Sequence, residues 1–144
     1  MNAVEDTGTI VTEPDWKLLL TDELERAAAS DNWRKITTEM RERETLSASN
    51  AHAIQRLVLA YVVYDRCSLE VADKGAVLKP KRGNPKSIAR LSPHYQAMRE
   101  AGSDAERLEA DLGLSPRRRA GVSKVQRRDR SKSASANYLK PVAK

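Results

Sequence analysis

The chain of 144 residues contains no phenylalanine, one cysteine, two tryptophans and four tyrosines. A β-sandwich core depends on aromatic and β-branched side chains. A small core made mainly of Leu, Val, Ile and Ala instead favours helices packed on helices. The single Cys67 cannot form an intrachain disulfide, and its position in an apolar run is typical of a small buried hydrophobic residue. The sequence therefore predicts an all-α protein of a reducing compartment.

Long hydrophobic segments are missing as well. The densest apolar run, Leu57 to Tyr64, is far shorter than the roughly 20 residues that a helix needs to cross a bilayer. Met1 to Val11 contains acidic residues and lacks the basic and apolar regions of a secretory signal. We therefore expect a soluble intracellular protein without a membrane partner.

Residues arranged for catalysis are scarce. His52 and His94 are isolated, with no Cys, Asp or Glu at the spacing of metal ligands. Acidic residues such as Glu39 and Glu42 stand beside Arg or Lys, where pairing along a helix explains them. No phosphate-binding loop of the Gly-Lys-Ser/Thr type occurs. The prediction is a protein that is not an enzyme and has no metal or cofactor. A small metal-dependent nuclease is the weakest reading.

Positive charge, by contrast, is abundant and segregated. Arg117 to Lys144 contains ten basic residues and one acid, Asp129, and so carries +9. Because the whole chain carries +6, residues 1–116 sum to −3. Flexible Arg and Lys side chains bind phosphates by releasing counterions, which gives strong, salt-sensitive and sequence-poor binding. The tail is too poor in apolar residues to fold alone and is predicted to be disordered.

Two basic segments are predicted to touch DNA. The tail supplies Arg117, Arg118, Arg119, Lys124, Arg127, Arg128, Arg130 and Lys132. A second patch between Lys79 and Arg90, which has no acid, supplies Lys79, Lys81, Arg82 and Lys86. A tail that binds RNA or an acidic protein is the alternative.

Apolar periodicity predicts about four helices in residues 14–116, after a flexible N-terminus of residues 1–13. Trp16, Leu19, Leu20 and Leu24 mark a first helix that fades in Ala27 to Ala29. Ser30 or Asp31 is expected to cap a second helix, with Trp33, Ile36 and Met40 on one face. The third helix is the longest. It is expected to start near Ser47 to Asn50, to end at Gly75 and to span roughly 35 Å.

The remaining elements follow from glycine and proline. Gly75 to Pro85 predicts a loop or a tiny hairpin, with Val77 and Leu78 extended. The last helix begins either near Lys86 or at Ser92-Pro93, because proline suits a first helical position. Ile88, Leu91, Tyr95, Met98, Ala105, Leu108 and Leu112 form its near-heptad stripe. Gly113 is expected to end it in a left-handed conformation, with Leu114 folding back.

The third helix is apolar on more than one side, which leaves two readings. Either part of its surface meets another subunit or its own chain wraps it. For the first reading the predicted oligomer interface is Leu57, Val58, Tyr61, Val62, Tyr64 and Leu69. A helix-turn-helix around Glu44 to Asn50 is conceivable, but a helix so rich in Leu and Val makes a poor recognition helix.

Several motifs follow one another in a fixed order along the chain. They are Trp33 with Ile36 and Met40, Leu46 before Ser47 to Asn50, the long third helix ending at Gly75, Gly83-Asn84-Pro85, and Leu-Gly-Leu-Ser-Pro followed by Arg at residues 112–119. From about Pro14 to Val122 this order resembles the P27 family of bacteriophage small terminase subunits. The most specific piece is the last one, with Arg119 at the family's arginine.

The resemblance implies a non-enzymatic DNA-packaging component of the host cell cytoplasm. Such a protein forms a cyclic homo-oligomer, binds concatemeric double-stranded viral DNA and delivers it to the large terminase subunit, which is the ATPase and nuclease. The alternative from another class is a non-catalytic RNA-binding or regulatory helical adaptor with a basic tail.

Overall fold

The computed structural model describes residues 11–80, 82–83, 86 and 88–116. Within them, four helices and a two-stranded ribbon follow one another along the chain. The helices are α1 (Trp16–Leu19), α2 (Glu23–Glu42), α3 (Ala51–Lys74) and α4 (Pro93–Asp111), with a single 3₁₀ turn, Ala48–Asn50, before α3. The strands are β1 (Val77–Leu78) and β2 (Arg90–Leu91), between α3 and α4. The predicted predominance of helix is confirmed.

The long helix α3 lies between α2 and α4 and runs antiparallel to both. Its 24 residues make it roughly 36 Å long. Tyr61 of α3 binds Glu109 of α4, whereas Tyr64 lies against Gly102, so a step forward along α3 is a step back along α4. On the other side Arg66 of α3 binds Glu25 near the start of α2. The core fills the space between these helices. Its largest fully buried side chains are Met40, Ile54, Leu57 and Val58.

The N-terminal part of the fold differs from the prediction. The helix α1 is one turn long, capped by Asp15, whose carboxylate accepts from the backbone N–H of Lys17. The chain turns before Glu23, and the Arg26 side chain donates to the carbonyl oxygens of Leu20 and Thr21 at this corner. Trp16 then packs edge-on against Trp33, with ring centroids 6.1 Å apart.

A helix boundary at Ser30 or Asp31 was wrong, because α2 continues through both residues. Alanine has the highest helix propensity, and Ala29 is fully buried in line with Trp33 and Ile36. The run of alanines therefore joins the two predicted helices. Just before residue 14, Val11 packs against the core and Glu13 accepts a hydrogen bond from the Trp16 indole.

Glycine and proline set the ends of α3 and α4 largely as predicted. Gly75, at φ +81°, ends α3, and a small antiparallel hairpin follows, with Val77 opposite Leu91. Of the two predicted starts for α4, the structure has the later one. Ser92 is the cap, and its hydroxyl oxygen accepts from the N–H of His94. Ile88 and Leu91 therefore lie outside the helix, and the predicted stripe along α4 starts only after Pro93.

The end of α4 has the predicted left-handed glycine. Gly113 has φ +71°, and the N–H of Leu114 reaches back to the carbonyl of Glu109 at 2.8 Å. This hydrogen bond defines a Schellman motif, and Leu114 packs against the core. The Arg43 guanidinium donates to the Gly113 carbonyl at 3.3 Å. The last turn of α4 is thus tied to the end of α2.

Replacing glycine by alanine should have opposite effects on stability at two positions. A Cβ on Gly102, inside α4, would lie 3.4 Å from the ring of Tyr64, which is van der Waals contact. We expect Gly102→Ala to raise the free energy of unfolding by about 0.5–1 kcal/mol, because glycine is a poor residue inside a helix. Gly75→Ala should lower it by about 1–3 kcal/mol, because its backbone conformation is one that alanine avoids. Urea unfolding measures both, and a destabilised Gly102→Ala would show that the Tyr64 ring cannot yield.

The pair that joins α2 to α3 predicts a pH effect. The Arg66 guanidinium donates two hydrogen bonds of 2.6 Å to the Glu25 carboxylate, which holds the pKa of Glu25 below its ordinary value. A carboxyl pKa lowered by folding stabilises the fold at neutral pH, and this contribution is lost as the pH falls through the folded pKa. Between about pH 5 and pH 3, Glu25→Gln should therefore lose less stability than the unaltered protein. The matched change is Glu100→Gln, on α4, whose free energy of unfolding should vary with pH as that of the unaltered protein does. The prediction is contradicted if the free energy of unfolding falls equally steeply with pH in all three proteins.

Candidate nucleic-acid interface

The basic tail joins the fold at the end of α4. Residues 117–144, including all the predicted tail contacts from Arg117 to Lys132, lie outside the described residues. The structure describes the attachment point instead. Gly113 and Leu114 are held by the Schellman motif and by Arg43. The tail therefore leaves the fold from a fixed point, where the end of α4 lies beside the end of α2.

The second basic segment lies at the other end of the molecule. Lys79, Arg82 and Lys86 are exposed in the hairpin between α3 and α4, and so is Arg90 of β2. Lys81 lies outside the described residues. The hairpin precedes the first turn of α4, whereas the tail follows its last turn, and 19 helical residues separate them. This is roughly 28 Å along the helix axis. The described fold thus keeps the hairpin apart from the point where the tail is attached.

The predicted oligomer interface is largely inside the single chain. Leu57 and Val58 are 0% exposed and Val62 is buried, because α2 and α4 cover α3 from two sides. In this conformation these three side chains are not available to a second copy. Their burial agrees with the alternative reading, in which the chain itself wraps the helix. Tyr64 and Leu69 are exposed and keep their place in the prediction.

Tyr61, also assigned to that interface, is half-buried between α3 and α4. Its hydroxyl donates to the Glu109 carboxylate at 2.6 Å. Burial, together with this hydrogen bond to a negative group, raises the pKa of the Tyr61 hydroxyl. The contact aligns α3 with α4 within one chain.

Helix packing also argues against a helix-turn-helix. The first helix of that motif crosses the second at a large angle and leaves the recognition helix free to enter the major groove. Here α2 and α3 are antiparallel neighbours. The chain connects them after Glu42, and the ion pair of Glu25 and Arg66 holds their other ends together. The middle of α3 is core.

Sequence reasoning missed a set of exposed apolar side chains. Leu24 was assigned to the apolar stripe of the first helix but is 79% exposed, and Leu18 is 84% exposed. The turn between α1 and α2 changes the helical phase, so Leu24 does not continue the face of Trp16 and Leu20. Ile88, assigned to the face of the last helix, is 80% exposed in the hairpin. The signal that was available is Ser92-Pro93, which separates Ile88 from α4.

The other candidate residues are placed as follows. Cys67 is a buried free cysteine, and His52 and His94 are exposed. Within the described ranges, no three His, Cys, Asp or Glu side chains are grouped so as to hold a metal ion. No helix among the described residues is both long and apolar enough to span a bilayer.

A comparison with protein-family models supplies the family. No curated protein and no solved structure matches the chain. The sequence model of one protein family, phage terminase, small subunit, matches residues 29–129. This region includes most of α2, all of α3, the hairpin and α4, and extends through Gly113 to Pro116 into the basic segment. Since the match covers well over half of the chain, the protein belongs to the phage terminase small-subunit family.

Proposed function

We propose that this chain is a small terminase subunit that binds concatemeric viral DNA and recruits or stimulates the large terminase at the start of genome packaging. The observation that carries the proposal is the extent of the family match, residues 29–129, which joins the helical fold to the basic segment. The assignment to the P27 family rests on the sequence motifs and stays a prediction.

We assign the main DNA contact to the tail. Its charge of +9 is attached to a body, residues 1–116, of charge −3. A negative body repels phosphates at long range, so the affinity has to come from the segment that follows Pro116. Binding of this kind is strong at low salt and nearly independent of base sequence. The tail therefore holds the genome without selecting a site by itself.

We assign assembly to the helical body. A cyclic homo-oligomer places one tail on every subunit, and linked weak contacts bind far more tightly than a single one. Individual phosphate contacts still exchange quickly. An assembled ring thus keeps hold of DNA while the DNA moves, which is what a packaging motor requires.

The test combines the chain with its cognate large terminase. We expect the chain to raise the ATPase rate of the large subunit in the presence of viral DNA, and double-stranded DNA to compete for the chain better than RNA of equal length. A preference for RNA together with an unchanged ATPase rate would contradict the proposal and favour the RNA-binding or regulatory adaptor.

A further inference from the structure

Two exposed patches on this chain combine apolar side chains with charged ones, acidic in one patch and basic in the other. The first, here called the corner patch, is the turn between α1 and α2. It consists of Leu18, Leu19, Asp22, Glu23 and Leu24, all of them exposed. The second, the hairpin patch, lies between α3 and α4. Its described members are Val77, Arg82, Ile88, Arg90 and Leu91, again all exposed.

We infer that the hairpin patch of one copy docks on the corner patch of a neighbouring copy and that this contact builds the oligomer. The inference rests on the assembly part of the proposed function and replaces the middle of α3 with a defined pair of surfaces. It also assigns the exposed basic side chains of the hairpin to a protein partner and leaves DNA to the tail.

The apolar side chains of the hairpin point to a protein partner. Val77 and Leu91 are opposite each other in the register, so their side chains share one face of the ribbon. Both are about half exposed, and Ile88 nearby is 80% exposed. Phosphate contacts need cations alone and gain nothing from these three side chains. Burying them against another apolar surface removes them from water and stabilises the contact.

Charge complementarity selects a second copy as the occupant. The segment Lys79 to Arg90 carries five basic residues and no acid, whereas residues 1–78 and 91–116 together carry −8. In the corner patch, the exposed acids Asp22 and Glu23 lie in the sequence between Leu19 and Leu24. Two basic residues flank this segment: Lys17, which is exposed, and Arg26, whose guanidinium is held by the carbonyl oxygens of Leu20 and Thr21. Glu25, the next acid of α2, is already bound by Arg66. The chain thus presents, on its own surface, a partner for its own hairpin.

The location of the patches fits a closed ring. The pair Glu25 and Arg66 places the start of α2 beside the second half of α3, so both patches lie at the same end of the molecule. They are different surfaces, and contacts between different surfaces either close into a ring or grow into a fibre. Because both patches lie at one end, copies placed side by side with parallel helices need no rise along the helix axis to join hairpin to corner, and a contact without a rise favours a ring over a fibre.

Two neutral double variants test the inference in the full chain. The hairpin variant is Ile88→Ser with Leu91→Thr, and the corner variant is Leu18→Gln with Leu24→Gln. Native mass spectrometry should find a single multi-subunit mass for the unaltered chain and mainly monomer for each variant, since two lost apolar contacts weaken the interface roughly a hundredfold. A 1:1 mixture of the two variants should give dimers, because one intact hairpin and one intact corner remain per pair.

The competing variant is Leu69→Gln, which removes an exposed leucine, 73% accessible, from the interface that the sequence predicts on α3. It should leave the oligomer intact. The inference is overturned if both double variants assemble like the unaltered chain, if Leu69→Gln alone disperses the oligomer, or if the mixture stays monomeric. Circular dichroism melting should match the unaltered chain within a few degrees for every variant, and a variant that fails this is replaced by the charge change below.

A charge exchange provides the second measurement. Arg82→Glu and Glu23→Arg should each weaken assembly several-fold, and the two together should restore it toward the unaltered value, because the exchanged charges attract again. Lack of restoration would contradict the pairing of these surfaces. The outcomes separate the two proposals. An unaltered chain that is monomeric defeats the ring itself, whereas a ring insensitive to all these changes defeats only the assignment of its interface.

Discussion

Removing six of the ten positive charges of the tail should nearly abolish DNA binding. We expect replacement of Arg117, Arg118, Arg119, Arg127, Arg128 and Arg130 by Gln to weaken affinity on the order of a thousandfold at physiological salt, because counterion release supplies nearly all of such non-specific binding. The slope of log affinity against log salt should flatten by about one unit for each lost phosphate contact. Fluorescence anisotropy with a labelled DNA duplex at several salt concentrations measures both quantities.

The matched control replaces the same six arginines by lysine and so keeps the charge. It should retain most of the affinity and the same salt slope, since a phosphate contact of this kind depends on charge rather than on the shape of the guanidinium group. Equal binding by the glutamine and unaltered proteins would clear the tail of its role. Equal losses in the lysine and glutamine variants would mean that the tail reads DNA by arginine geometry, as in paired contacts to guanine.

A core substitution in α3 should have the largest effect on stability. Leu57 is fully buried between the helices of one chain, so Leu57→Ala is expected to lower the free energy of unfolding by about 2–5 kcal/mol. Leu69→Ala, on the exposed side of the same helix, should change it by no more than about 0.5 kcal/mol. Urea unfolding at two protein concentrations measures both variants. A Leu57→Ala protein of normal stability that fails to assemble would restore Leu57 to the subunit interface.

Much of the fold follows from local chemistry in the sequence. Gly75 and Gly113 end helices because they adopt positive φ angles that other residues avoid. Ser92 and Pro93 start α4 because a hydroxyl cap and a fixed φ suit a first turn. These signals involve residues that are neighbours in the chain. The predicted ends at Gly75 and Gly113 agree with the structure, and of the two starts left open for the last helix the structure has Ser92-Pro93.

The errors came from features that depend on the rest of the fold. Ser30 is a good cap by type, but burial of Ala29 with Trp33 keeps α2 continuous through it. The apolar sides of α3 could be covered by a second subunit or by helices of the same chain. Only the positions of α2 and α4 show that helices of the same chain bury the middle of α3. Periodicity alone did not show the exposure of Leu24, because it does not report where a helix starts. For Ile88 a signal was present, since a helix that starts at Ser92-Pro93 leaves Ile88 outside it. The tail contacts rest on composition alone.

The mass of the protein with and without its basic tail tests the central claim most directly, which is that the helical body assembles the copies while the tail holds the DNA. Native mass spectrometry of the full chain and of residues 1–116, at low micromolar concentration, gives the number of subunits in each. The account predicts one and the same multi-subunit number for both proteins, with DNA retained only by the full chain. A full chain that is strictly monomeric, or a number that changes when the tail is removed, would contradict it.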